Sequence, residues 1–152
     1  MASVNRIVFV EDHGNERAIM AKALFDDICR DTNIVSEARG IVVLFPEPMN
    51  QKVEAVLKSN GLDEPSFLSQ ELTEADFSED TLILTMEEKQ KKKVLDKYSN
   101  AINVQLLTDI TGDELEIMDP YGGTLQSYGL CYESLSIIIK KLVMLVKNDN
   151  DK

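Results

Sequence analysis

Residues 7–10, Ile-Val-Phe-Val, form an unbroken β-branched and aromatic run. A strand of that kind has no polar face to offer water, so it belongs in a parallel sheet covered on both sides. The residues after it carry a helical period. Ile19-Met20, Ala23-Leu24 and Ile28 recur mostly at three- and four-residue spacing, which predicts a helix over about 16–30 with Asp26, Asp27 and Arg30 on its outer side.

The same alternation continues. Ile34-Val35 and Ile41-Val42-Val43-Leu44 are strand candidates, and Pro46-Glu47-Pro48 stops the second before Asn50 opens a helix through about Ser59. Asn60-Gly61 supplies its cap. A polar connection over 64–78, with a short strand or turn near Leu72-Thr73, leads to a strand at 81–86 and a charged helix at 87–98. A strand at 104–107, a glycine-bearing loop at 111–123 and a helix over about 124–146 follow, with a polar tail at 147–152 expected to fray. Strands alternating with helices predict βαβ units and an open parallel sheet.

A chain of 152 residues that is 43% hydrophobic is expected to fold as a single domain spanning 1–152 with a real core. Sixteen Lys plus Arg against 27 Asp plus Glu give a net charge of -11, which repels phosphate backbones and anionic lipid. Nucleic-acid and membrane partners are not expected. No segment approaches the roughly 20 apolar residues of a membrane span, and the opening apolar stretch is too short for a signal peptide, so the expected location is cytoplasmic. Cys29 and Cys131 lack the spacing of a disulfide framework or a zinc site and read as small buried hydrophobes.

In open parallel sheets ligands bind beyond the carboxyl ends of the strands. Two glycine-bearing loops fall there, 11–17 and 111–123. The first reads Glu11-Asp12-His13-Gly14-Asn15-Glu16-Arg17, with one cation among three acidic side chains.

IVFV, the six-residue step to Arg17, the MAKALF that follows and the late DPYGG together resemble the low-molecular-weight protein tyrosine phosphatases. LILTMEEKQKKKVLDKY is similar to that family's third strand and helix, and VEAVLKSNGL to the helix ahead of its "LT..DF" connection, here Leu72-Thr73-Glu74-Ala75-Asp76-Phe77. The resemblance covers nearly the whole chain. It implies a three-layer α/β/α fold with a central four-stranded parallel sheet. It also implies a loop in which a cysteine thiolate attacks phosphorus while an arginine and backbone amides grip the oxyanion.

With no gap between the flanks, the nucleophile position falls on Glu11. The serine that normally follows the arginine is Ala18, and the loop asparagine falls on Gly14 with Asn15 displaced by one. Arg17 is retained. Asp119 stands at the position of the general acid and Tyr121 at that of an aromatic flanking the phosphotyrosine ring. Phe45, with Leu44, Pro46 and Met49, either walls the crevice, as the family's second loop does, or packs into the core.

Like charges 5 Å apart at an effective dielectric of about 20 repel by roughly 3 kcal/mol, so Glu11, Asp12 and Glu16 are expected to turn a phosphate dianion away. The Glu11 carboxylate can instead accept hydrogen bonds from Arg17 and the helix-start amides, a built-in oxyanion. The expected function is therefore a catalytically impaired pseudophosphatase, acting as a binding or regulatory module for a phosphoprotein or other signalling protein. Two alternatives stay open. One is a working phosphomonoesterase using a carboxylate at Asp12 or Glu11, or a metal-activated water. The other is a receiver-like signalling domain, which the acidic pair after the first strand also resembles.

Plainer roles are available for the same residues. Glu16 suits a helix N-terminus, Asp12 a cap, His13 an exposed loop, Arg17 an internal ion pair and Asp119 a turn before Pro120. Glu11, Asp12, His13, Glu16 and Asp119 have no diagnostic ligand spacing, so no metal and no cofactor are expected. Lys89, Lys91, Lys92 and Lys93 read as a solvated helix face.

Overall fold

The computed structural model describes residues 3–30 and 32–150. Four strands, β1 (Arg6–Glu11), β2 (Val35–Gly40), β3 (Thr81–Thr85) and β4 (Val104–Leu106), form one parallel sheet in the order β2-β1-β3-β4. Helices cover both faces, giving the three-layer α/β/α arrangement.

The period of two along β1 assigns its side chains to two cores. Ile7 and Phe9 point to the side packed by α1 (Arg17–Ile28), α2 (Gln51–Ser59) and α5 (Leu125–Asn150). Val8 and Val10 point to the other side, where Val94 and Tyr98 of the α3 (Glu88–Lys97) region close over them with Leu72 and Phe77. β1 is thus apolar on both faces because both are covered. It also pairs with β2 on one side and β3 on the other, so the chain reverses its direction of winding at β1. Such a switch point leaves a crevice at the strand's carboxyl end, where residues 11–17 lie.

The second strand differs from expectation. It is Val-Ser-Glu-Ala-Arg-Gly at 35–40, and 41–44 lies beyond it. β2 is an edge strand that alternates between buried and partly exposed positions, and its polar side chains find local partners: Arg39 lies 3.6 Å from Asp76 and Ser36 donates to Asp26. The more apolar run at 41–45 leaves the sheet and passes over the crevice, with Ile41 N–H and Val42 N–H donating to the Glu11 and Asp12 carbonyls.

Two further differences concern the C-terminal half. A short helix, α4 (Leu107–Thr111), follows β4 directly and ends on Gly112 in the left-handed region. α5 continues to Asn150 instead of fraying from 147, because Asn150 donates to the Val4 carbonyl at 2.8 Å and accepts its N–H at 3.0 Å. The last two residues of the expected tail lie outside the described residues. No described helix is long and apolar enough to cross a membrane.

Candidate functional site

Two glycines set the loop between β1 and α1. Gly14 has φ +81°, and a Cβ there would sit 2.7 Å from the Gly40 nitrogen, while a Cβ on Gly40 would meet His13 backbone at 2.5 Å. The loop is therefore pressed against the end of β2, and neither position has room for a side chain.

Helix α1 starts at Arg17 with Glu16 as N-cap, but the Glu16 side chain caps nothing. The acceptor comes from the preceding strand. Glu11 Oε2 takes the Ala18 N–H at 2.7 Å and the Glu16 N–H at 3.1 Å, which satisfies amides that a helix start leaves open. Glu11 Oε1 lies 3.6 Å from Arg17 Nε, close enough for an ion pair, although Nε has no hydrogen-bond partner. Burial raises the Glu11 carboxyl above its ordinary range, and the Arg17 charge and the Ala18, Glu16 and Arg17 amides oppose that rise.

Arg17 is 1% exposed, and its two terminal nitrogens are engaged elsewhere. Nη1 donates to the Ile117 carbonyl at 2.8 Å, and Nη2 donates to Glu87 Oε2 at 2.6 Å and lies 3.7 Å from Asp119 Oδ2. Burial pulls the Glu87 carboxyl up, but its bond to Arg17 outweighs this and the net shift is down. The cation that would grip an incoming oxyanion is thus ringed by three carboxylates of its own chain.

Glu16, also buried, accepts the Tyr128 hydroxyl at 2.9 Å and the Asn50 amide at 3.3 Å. Burial raises its carboxyl, and the nearby Asp119 charge adds to the rise. Asp12 bonds Lys93 at 3.0 Å; that contact prevails over burial and holds its carboxyl low. His13 is exposed, with Nδ1 3.1 Å from the Val42 carbonyl, and Asn15 uses its carbonyl to accept the Asn50 N–H. Asp119 both lies near Arg17 and accepts the Tyr121 N–H at 3.0 Å, so turn and site roles coincide.

These residues surround one cleft of about 550 Å³, whose lining includes Glu11 through His13, Asn15 through Arg17, Phe45, Asp119 and Tyr121. Every singled-out loop residue except Gly14 lines it, and Gly14 shapes the loop from beneath. No group of three or more His, Cys, Asp or Glu among the described residues is arranged to hold a metal ion.

Glu87, Tyr128, Asn50 and the Ile117 carbonyl were not singled out from the sequence. Glu87 reads as the first residue of a charged helix, and only the topology brings the end of β3 beside Arg17. Of the basic cluster, Lys93 and Lys89 reach back to Asp12 and Glu87, so that part of the helix face is not merely solvated.

The model of the low molecular weight phosphotyrosine protein phosphatases matches residues 6–152. The chain belongs to that family. It is 31% identical over 137 residues to the low molecular weight protein-tyrosine-phosphatase PtpB of Staphylococcus aureus, covering 90% of this chain and 96% of the relative. The PtpB of Staphylococcus haemolyticus is 28% identical over the same length. Among solved structures, the low molecular weight protein tyrosine phosphatase of T. tengcongensis superposes with a TM-score of 0.86 at 25% identity, over 92% of this chain and 98% of that one. The YwlE arginine phosphatase of Geobacillus stearothermophilus gives 0.88 at 21% identity, over 95% and 94%. The family's fold is therefore present throughout, with a glutamate at the end of β1 where the resemblance aligns the family's cysteine.

Proposed function

We propose that this member of the family is a pseudophosphatase that serves as a binding or regulatory module for another signalling protein. The observation that carries this reading is the Glu11 carboxylate seated on the Glu16 and Ala18 amides beside Arg17. It occupies the donors that an oxyanion would need, and it puts a weak nucleophile where a thiolate would have to stand. An entering phosphoryl group would have to displace it and also meet Glu16 and Asp119. Asp119 itself stands at the cleft mouth, where the resemblance puts the general acid. The missing parts are the attacking atom and a free cradle.

The test is turnover of p-nitrophenyl phosphate by the native protein, with and without divalent metals, and by the Glu11→Cys, Ala18→Ser double variant. The expected result is no native turnover under any condition and measurable turnover by the double variant. Native turnover abolished by EDTA would establish the metal-dependent phosphomonoesterase instead. Native turnover insensitive to EDTA would establish a carboxylate nucleophile.

A further inference from the structure

Helix α5 leaves one face uncovered, and the side chains there form a pattern. Leu130, Ile137 and Met144 recur at seven-residue spacing and are 51%, 59% and 66% exposed. Two helical turns separate each from the next, so the three stand in one row about 21 Å long. The segment after α4 widens it. That segment is tied to α5 by the Asp113–Lys141 ion pair at 2.8 Å and by the Cys131 thiol on the Met118 carbonyl, and it adds the exposed Leu115 and Met118. Single exposed aliphatic side chains are ordinary on a protein surface, whereas a straight row with two more beside it marks a contact face.

The charges beside the row say what covers it. At about 100° per residue, Glu133 and Lys140 stand about 40° and 60° to one side of Ile137, while Ser134 and Lys141 stand to the other. Lys141 is already held by Asp113. Glu133 and Lys140 are both exposed, and among the described residues neither has an ion-pair or hydrogen-bond partner. A two-fold axis through Ile137, perpendicular to the helix, sets a second copy of α5 antiparallel to the first. Positions equally far before and after Ile137 then face one another. Ile137 meets Ile137 of the second copy, Leu130 meets Met144, and Glu133, four residues before the axis, meets Lys140, three residues after it, on the same flank. The offset of one residue is about 1.5 Å, well inside the reach of both side chains. A parallel pair would instead bring Lys140 against Lys141 of the other copy. The face also escapes the repulsion that a net charge of -11 implies elsewhere, since residues 130–144 carry two Lys and one Glu.

We propose that this protein forms a reversible two-fold dimer through the exposed face of α5, with Ile137 on the axis and two Glu133–Lys140 ion pairs across it. One helix pair with its flanking residues lies at the low end of specific interfaces, so the dissociation constant is expected in the range of about 10–100 µM. None of these residues lines the cleft, so the contact does not depend on what the cleft binds.

The experiment is sedimentation velocity of the full chain across about 2–500 µM, which brackets that constant on both sides. The native protein is expected to pass from monomer to dimer. Ile137→Glu places two like charges on the axis and is expected to leave a monomer at every concentration. Glu133→Lys and Lys140→Glu each set like charges opposite one another and are expected to weaken the dimer about tenfold or more. The double variant Glu133→Lys, Lys140→Glu is expected to restore native affinity. An equimolar mixture of the two single variants is expected to associate more tightly than either alone, because every cross pair is then of opposite sign. At about 2 µM, where the native protein is monomeric, all these surface variants are expected to share its melting temperature. A native protein still monomeric at the highest concentration, which would leave the α5 face to a different protein, overturns the proposal. So does a dimer that survives Ile137→Glu, since the contact then lies elsewhere. A double variant that does not recover what the single reversals lose overturns it too, because the antiparallel register requires that recovery.

Discussion

The Glu11 carboxylate and the Ala18 N–H are joined by a 2.7 Å hydrogen bond that links the end of β1 to the first turn of α1. In a helix whose N-cap side chain is turned elsewhere, that bond is the cap. If these amides are the anion cradle, as the proposed function has it, capping the helix from within and leaving the cradle open to a ligand are mutually exclusive. On the proposed reading, Glu11 couples the fold's stability to the filling of that cradle.

Glu11→Ala is expected to lower stability by about 2–4 kcal/mol, since it leaves two buried amides open, removes a partner of Arg17 and makes a void. Urea unfolding monitored by circular dichroism measures this. The same variant is expected to gain what the native protein lacks. With the internal oxyanion gone, about 10 mM phosphate or vanadate should raise its melting temperature while leaving the native protein unmoved. A native protein stabilised by either anion as strongly as the variant would show that Glu11 does not fill the cradle.

How far the sequence alone reached can be judged from β1 and β2. β1 was legible because it is covered on both faces and its composition says so. β2 was legible only at its start, in the Ile34-Val35 candidate, because an edge strand held by Arg39, Glu37 and Asp76 carries no apolar run, while the apolar run at 41–45, the other candidate, serves the cleft wall. Within the site, the place of residues 11–17 at the carboxyl end of β1 was legible from the flanking segments. Glu87 and Tyr128 were not, because they lie 70 and 112 residues from Arg17 and Glu16 respectively, and only the folded topology brings them together.

The buried carboxyls give a signed pH dependence. Glu11 is raised by burial above its ordinary 4.5, so the folded protein keeps a proton that the unfolded chain has released. Its contribution is fully present below about 4.5 and is lost as pH rises through the folded value. Glu16 shifts in the same direction, while Asp12 and Glu87 shift the opposite way and act at lower pH. Subtracting a Glu11→Gln profile isolates the first of these. The native protein is expected to lose stability relative to that variant as pH is raised from about 4.5, read from urea midpoints at successive pH values. Parallel profiles would mean that Glu11 ionises in the folded protein as it does in the unfolded chain.

Gly14 and Gly40 close the loop against the sheet, and their backbones approach too closely for any side chain. Gly14→Ala adds a left-handed φ of +81° to the clash with Gly40 and Arg39. Each alanine is expected to cost about 2 kcal/mol or more, whereas Gly129→Ala on α5, where a Cβ would meet open space, is expected to stabilise by about 0.5–1 kcal/mol. Thermal melts of the three variants decide it; a Gly14→Ala protein as stable as Gly129→Ala would place the loop away from β2.

Cys131 is the remaining thiol near the site. Burial pushes it up to about 12, with Arg17 pulling it down and Glu11, Asp119 and Glu16 pushing it further up, and its Sγ donates to the Met118 carbonyl at 3.6 Å. A thiol so placed is neither ionised nor accessible at neutral pH, so it is not poised to act as a nucleophile. Native protein is therefore expected to leave Cys131 unmodified by an aromatic disulfide reagent on a timescale that fully modifies it in denaturant, as read by peptide mass after digestion. Cys29, buried on the far end of α1 with its sulfur 3.1 Å from the Thr32 hydroxyl, serves as the internal comparison. Selective modification of Cys131 in the folded state, together with loss of any residual phosphatase turnover, would identify it as a displaced nucleophile and overturn the assignment of an inert core thiol.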